Sequence, residues 1–170
     1  HGALGLREYQ EMGILPEAMN NYLLRQAWSH GNEEIISLDR AIELFDIKNV
    51  GRSPAKFDFD KLLSFNSHYL READDNRLVK LILPIIKNDL TGKIDDNLSG
   101  RLKDGMPGLK ERAKDINELA KNAQFYASCR PITLSDQAEE ILDCSSKIIL
   151  KKIHKHLNSI KDWSSDSLDS

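Results

Sequence analysis

The spacing of apolar side chains predicts α-helices along the whole chain. The first clear helix opens at Leu15 and Pro16, because proline is favoured in the first helical turn, and it ends at the turn formers of residues 30–32. Ser37 is expected to cap a short second helix. Stretches of alternating apolar and polar residues are lacking, and the chain has just two valines. We therefore expect an all-α fold.

The middle of the chain predicts two further helices and then a connector. Asp58 or Asp60 starts an aromatic-rich helix, and residues 74–76 end it and cap the next one. Pro84 lies inside that next helix and is expected to kink or split it. Residues 91–108 contain four of the nine glycines and are expected to form a connector around one short helix.

The last third predicts two long helices. One runs from Leu109 until Pro131 stops it, and the other runs from about Ser135 to Asp162. With the connector, this gives a division into residues 1–90, residues 91–108 and residues 109–170.

Composition narrows the class of protein. The chain has 170 residues, a formal net charge of −3, 40% hydrophobic and 30% charged residues, which is typical of one or two globular domains. No apolar run approaches the roughly 20 residues of a membrane span. Cys129 and Cys144 lie far apart without a ligand set, as expected for reduced thiols in the cytoplasm. Because the chain begins at His1, we expect a piece of a longer protein.

Candidate catalytic residues do not form a recognisable site in the sequence. Phosphate-binding glycine loops and zinc-protease or nucleophile-elbow motifs are lacking. His154 and His156 are two positions apart on a helix and point in different directions, so a shared metal is not expected. We therefore predict no catalytic and no metal-binding residue in this chain.

One charge pattern suggests a binding surface. Between Cys144 and Lys161 the chain has five lysines and no acid, and several of them recur every four residues. Like charges at this spacing repel by a few tenths of a kcal/mol, so a helix shaped only by stability would mix signs. Either the lysines form an ordinary solvated face, or they contact a phosphate backbone. The candidate RNA-binding residues are Lys147, Lys151, Lys152 and Lys155.

Several motifs together resemble bacterial-type glutamyl-tRNA synthetase. The stretch "LPEAMNNYLLRQAWSHGNEEIISLDRAIELFDI" is similar to the family's Pro-Glu-Ala helix and Trp-Ser-His-Gly turn, and "SPAKFDFDKLLSFNSHYL" resembles a family signature. "LKERAKDINELAKNAQFY" resembles the helix that opens the anticodon-binding region. The departures are Ser64, where the family usually has Trp, and Gln26-Ala27 in place of Leu-Gly.

The resemblance implies an architecture and a set of partners. It implies a helical stem-contact domain, residues 1–90, followed after the connector by part of an α-helical anticodon-binding bundle, residues 109–170. The aromatic residues Phe57, Phe59, Phe65 and Tyr69 are expected in the core of the stem-contact domain. His1, Gly2 and Ala3 would directly follow a lysine-rich ATP loop. The helical character implies the bacterial type, because related enzymes use β-barrels there.

The resemblance also implies the chemistry of a parent enzyme. A class I glutamate–tRNA ligase, with its catalytic domain upstream, would use ATP and Mg²⁺ to attach glutamate to tRNA(Glu). This chain would dock the tRNA as a cytoplasmic monomer without catalysing either step and without a cofactor of its own. Further RNA-binding candidates are Arg25, Lys56 and Lys61. The alternative is a helical protein-interaction module without an RNA role, and whether the parent also charges tRNA(Gln) stays open.

Overall fold

The computed structural model describes residues 4–51, 55–89, 96–128, 132 and 134–164, and the regular structure within them is helical. One turn of 3₁₀ helix, Ile47–Asn49, follows the third helix. The helices are α1 Leu6–Glu11, α2 Pro16–Ala27, α3 Leu38–Leu44, α4 Phe59–Glu72, α5 Asp75–Asp89, α6 Leu98–Lys110, α7 Ile116–Ala127, α8 Asp136–Ile141 and α9 Cys144–Leu157. The all-α prediction is confirmed.

Local capping signals set the starts of the early helices. Pro16 is the first residue of α2, as predicted. The Ser37 hydroxyl accepts a hydrogen bond from the backbone N–H of Arg40 at 3.3 Å and begins α3. The Asp58 carboxylate accepts from the N–H of Lys61 at 3.0 Å and begins α4. Each cap satisfies one of the N–H groups that the first helical turn leaves unpaired, and these predictions are confirmed.

The helix predicted around Pro84 is observed: α5 runs unbroken from Asp75 to Asp89, so Pro84 does not split it, and a kink stays a prediction. Two other predicted helices are wrong. The single helix expected from Leu109 to Pro131 is wrong: α6 ends at Lys110 and a turn separates it from α7. The single helix expected from about Ser135 to Asp162 is also wrong, since α8 ends at Ile141 and α9 begins at Cys144.

Aspartate caps explain both breaks. The carboxylate of Asp115 accepts from the N–H of Glu118 at 2.8 Å, and that of Asp143 accepts from the N–H of Ser146 at 2.7 Å. In each case the apolar spacing continues across the break, so periodicity alone does not reveal it. The new N-terminus is instead fixed by an aspartate in extended conformation.

The chain forms two compact units, His1–Ser128 and Cys129–Ser170. In the first unit, α2 packs on α4, and α5, α6 and α7 pack on one another. Its core holds large side chains with less than 2% of their surface exposed, among them Tyr22, Leu62, Leu70, Leu78, Ile82, Ile86, Leu98, Leu102, Met106 and Leu119. In the second unit, none of the described residues is buried.

Of the four aromatic residues in and just before α4 that were expected in the core, only two are buried or half-buried. Phe65 is buried, and Tyr69 is half-buried with its hydroxyl donating to the Asn21 side chain at 3.0 Å. Phe57 and Phe59 are 44% and 39% exposed, although Phe57 still contacts Tyr22 with 5.0 Å between ring centroids. The expectation that all four build the core is therefore wrong for Phe57 and Phe59.

The functional division of the chain stays a prediction. Within the proposed connector, residues 98–108 belong to α6, whose buried side chains Leu98, Leu102 and Met106 pack in the first unit's core. Residues 90–95 lie outside the described residues. Of the described helices, none is both long and apolar enough to cross a membrane.

Candidate nucleic-acid interface

A cleft opens between α6 and α7 on the surface of the first unit. Its volume is about 400 Å³. The residues that line it are Gly105, Gly108, Leu109, Arg112, Asn122, Phe125 and Tyr126. It thus combines two aromatic rings, an arginine and an amide on a glycine floor.

Two glycines, one helical turn apart on α6, shape the floor of the cleft. The ring and hydroxyl of Tyr126 lie so close to Gly105 that a Cβ there would overlap them. A Cβ on Gly108 would meet no atom within 4 Å, so this glycine leaves open space. Gly105 therefore lets the hydroxyl end of the Tyr126 ring approach α6 closely, while Gly108 keeps the adjoining space free.

The aromatic wall of the cleft is open to solvent. Phe125 is 62% exposed, and its ring centroid lies 4.1 Å from that of Tyr126 with 32° between the planes. The carbonyl of Tyr126 accepts a hydrogen bond from Arg101 at 3.1 Å, which ties the end of α7 to α6. An exposed ring held in this way offers a planar apolar face on which a nucleobase can stack.

A cation stands beside this aromatic wall. Arg112 is exposed, and within the described part of the chain its guanidinium has no ion-pair partner. A guanidinium presents several N–H donors in a fixed plane and binds phosphate or a base edge in two-pronged fashion. The cleft therefore has the chemistry to take an unpaired nucleotide.

Backbone contacts fix the turn, residues 111–115, that carries Arg112. Ala113 is buried at its centre. The carbonyl of Lys114 accepts from the Asn66 side chain at 2.7 Å, and the N–H of Lys114 donates to the Glu118 carboxylate at 2.8 Å. The turn is thus anchored from α4 and from α7, with Arg112 and Lys114 exposed on either side of the buried alanine.

The sequence predictions did not single out this cleft. Its members lie within the quoted stretch "LKERAKDINELAKNAQFY", but Phe125 was not distinguished there from a core aromatic. No sequence signal marked Phe125 as exposed, because adjacent residues of one helix can both be buried, as Leu119 and Ala120 of α7 are. The contact with Gly105 comes from a different helix and has no local signal.

The predicted lysine face lies on α9. Lys147, Lys151 and Lys155 share one side of this helix, as their spacing of four requires, and they and Lys152 are exposed. No acidic partner for any of them occurs among the described residues. The face is thus a single-sign surface, and its RNA contact stays a prediction.

Of the other basic candidates, Arg25 and Lys61 are less available than the lysines of α9. Lys61 Nζ lies 2.6 Å from the Glu34 carboxylate, and this hydrogen bond, together with the charges of Lys61 and Arg25, lowers the pKa of Glu34. Arg25 is half-buried, and its buried Nη1 has no hydrogen-bond partner among the residues that the structure describes. Lys56 is exposed. The structure therefore places Arg25 and Lys61 around one carboxylate that partly neutralises them.

The predicted neighbours of an ATP loop, His1, Gly2 and Ala3, lie outside the described residues. Within the described part, no three His, Cys, Asp or Glu side chains group closely enough to hold a metal ion.

The region of the cleft matches a known family of RNA-binding domains. The model of the family described as anticodon binding domain matches residues 77–170, which is more than half of the chain and includes the whole cleft. The chain therefore belongs to the anticodon binding domain family, in the form found in bacterial glutamate–tRNA ligases.

The chain's relatives are glutamate–tRNA ligases of bacteria. Glutamate–tRNA ligase 2 of Parvibaculum lavamentivorans is 45% identical over 163 residues, covering 96% of this chain and 33% of the relative. The same enzyme of Rhizorhabdus wittichii is 46% identical over 170 residues, covering 99% and 36%. The chain thus spans about a third of the length of the curated relatives it matches. The predicted resemblance to glutamyl-tRNA synthetase is confirmed.

Solved structures give the same fold. A glutamate–tRNA synthetase of Elizabethkingia anophelis matches with a TM-score of 0.61 and 29% identity over 90% of this chain and 29% of its own. A glutamate tRNA ligase of Elizabethkingia meningosepticum matches with a TM-score of 0.69 over 90% of this chain and 30% of its own. At 24% identity, the second shows likeness of fold alone.

Proposed function

We propose that this chain is the tRNA-docking part of a glutamate–tRNA ligase and that the cleft between α6 and α7 holds an unpaired nucleotide of the tRNA. The observation that carries the proposal is the pairing of exposed Phe125 with Arg112 in one cleft, inside the region that matches the anticodon-binding family; among the described residues the Arg112 guanidinium has no ion-pair partner. The alternative, a protein-interaction module without an RNA role, has no support from the family match or from the relatives.

The two members of the pair have separate tasks. A base stacks on the ring of Phe125, which is sequence-tolerant because every base has a flat face. Arg112 then binds the adjoining phosphate or the edge of the base, where it adds charge and geometric selection. The glycine floor admits the sugar and backbone.

The lysine face of α9 forms a second, electrostatic contact. Four lysines offer point charges to phosphates and no rigid fork for reading bases, so this contact is independent of sequence. Residues 1–90 contact the tRNA stem, residues 91–108 connect, and residues 109–170 contact the anticodon side.

The proposed parent enzyme is a ligase of the kind that its relatives are. It would attach glutamate to tRNA(Glu) with ATP and Mg²⁺ held by an upstream catalytic domain, as a cytoplasmic monomer, with His1, Gly2 and Ala3 beside its ATP loop. This chain supplies position and affinity, and the reacting groups lie elsewhere.

Fluorescence anisotropy of labelled tRNA(Glu) tests the cleft. Replacing Phe125 by Leu removes the stacking face, and we expect a loss of about 1–3 kcal/mol, or roughly 5- to 150-fold in affinity. Replacing Arg112 by Gln should also reduce the salt slope of log K by about 0.7–0.9. The comparison variant is Arg40→Gln, which removes the same charge from α3, where Glu43 already pairs with it, and should cost less affinity than Arg112→Gln. Wild-type affinity in both cleft variants would refute the proposal.

A further inference from the structure

A single buried amide joins three parts of the first unit. Asn66 of α4 is fully buried and accepts a hydrogen bond from the N–H of Leu15 at 2.7 Å. Its Nδ2 donates to the carbonyls of Gly13 at 3.2 Å and Lys114 at 2.7 Å. Both N–H groups of the amide are therefore used, each on a different turn of the backbone.

The two turns that Asn66 joins also touch each other. Gly13 has a positive φ of 82°, and its carbonyl accepts from the N–H of Ile116 at 3.1 Å. A Cβ on Gly13 would stand 2.8 Å from that same nitrogen, closer than a real Cβ is found. The turn at residues 13–15 and the turn at residues 111–115 are therefore locked together, with Asn66 behind both.

Ala113 is buried and Asp115 caps α7, but the other side-chain hydrogen bonds to the backbone of Arg112 and Lys114 are long or made by exposed groups. The carbonyl of Arg112 accepts from the Asn122 side chain at 3.5 Å, a long hydrogen bond, and the Glu118 bond to Lys114 is exposed to water. The bond from Asn66 to Lys114 is short and formed by a fully buried side chain. A buried bond is worth more than an exposed one, because water cannot replace it when it breaks.

We infer that Asn66 is a positioning residue for RNA binding: it holds the turn that presents Arg112 to the cleft without touching the RNA itself. The inference rests on the proposed function of the cleft. It makes tRNA affinity depend on a residue of α4, which lies 46 positions before Arg112 in the chain. Asn66 acts through Arg112, so its effect must disappear when Arg112 is absent.

A double-mutant cycle measures this dependence. Affinity for labelled tRNA(Glu) is determined for the wild type, Asn66→Asp, Arg112→Gln and the double variant. Asn66→Asp keeps the shape and the bond to Leu15 but turns the donor into an acceptor facing two carbonyls. We expect about tenfold weaker binding in the wild-type background and less than about twofold in the Arg112→Gln background, since coupled residues show interaction of this size.

Two further variants separate positioning from loss of fold. Asn66→Ser removes the amide without burying a charge. If Asn66→Asp does not fold, Asn66→Ser should show the same coupling to Arg112. Leu70→Ala empties core space on the same helix without touching the turn, and it should leave the affinity of the folded protein within about twofold. Circular dichroism confirms folding at the assay temperature.

The possible results are distinct. Equal weakening by the Asn66 variants in both backgrounds overturns the positioning role and leaves the cleft standing. An Arg112→Gln variant that binds like the wild type overturns the cleft and, with it, the role of Asn66. Weaker binding by the Asn66 variants only where Arg112 is present supports both the cleft and the positioning role of Asn66.

Discussion

The two glycines on the floor of the cleft should respond in opposite directions to the same substitution. Both Gly105 and Gly108 lie in α6, where alanine is favoured over glycine by up to about 1 kcal/mol. At Gly108 the new methyl meets no atom within 4 Å, so Gly108→Ala should stabilise the first unit by roughly that amount. Gly105→Ala must instead displace the ring of Tyr126.

The magnitude of the second effect follows from this overlap. Forcing a group into a filled site costs about 1–3 kcal/mol, and the helical gain of about 1 kcal/mol offsets part of it. Gly105→Ala should therefore destabilise by up to about 2 kcal/mol, which places the two variants about 1–3 kcal/mol apart. In a Tyr126→Ala background the obstacle is gone, so Gly105→Ala should become stabilising.

Urea unfolding followed by tryptophan fluorescence measures the difference in the relevant unit. Trp28 is buried in the first unit, whereas Trp163 of the second is 63% exposed, so the change in emission reports mainly on the first. Equal stabilisation by Gly105→Ala and Gly108→Ala would show that Tyr126 does not rest on α6, and the described shape of the cleft would be wrong.

Three further predictions concern charge. Lys151→Gln/Lys155→Gln should flatten the log–log salt dependence of tRNA binding by about 1.5–2 units, and an unchanged slope would return these lysines to a solvated face. Glu34→Gln should release Lys61 and strengthen tRNA binding at low salt, with Lys61→Gln as the control that abolishes the gain. Hydrogen bonds, first from the backbone N–H of Ser146, lower the pKa of Asp143 from 3.8 to about 2. Its cap therefore stabilises α9 above pH 4, and this stabilisation is lost as the pH falls towards 2. Circular dichroism should show the loss of helix, and Asp143→Asn should not show it, because asparagine caps a helix without titrating.

The parts of the fold that the sequence revealed are those fixed by neighbours in the chain. Ser37 and Asp58 begin their helices through bonds to residues three positions later, and such bonds depend little on the rest of the molecule. The break at Asp115 carried a similar signal, since Glu118 follows at the third helical position, but continuous apolar spacing hid it.

The cleft could not be predicted in the same way. It depends on the approach of Tyr126 to Gly105, which lies 21 positions earlier, and on how α6 and α7 pack. The turn at Arg112 depends on an amide of α4, a contact between residues 48 positions apart. The lysine face of α9 was predicted because it depends on helical spacing alone.

The exposed apolar side chains of α9 determine how this helix behaves in time. Ile148, Ile149, Leu150 and Ile153 are 46% to 58% exposed, so tertiary packing adds little to the free energy that keeps the helix closed. A helix of 14 residues held by its own hydrogen bonds and one cap is marginal in water. The backbone amides of α9 should therefore exchange with deuterium far faster than those of α4 or α6. RNA that binds the lysines must also supply the free energy that orders the helix. The observed affinity is then the affinity of the folded helix multiplied by the fraction of molecules in which the helix is formed.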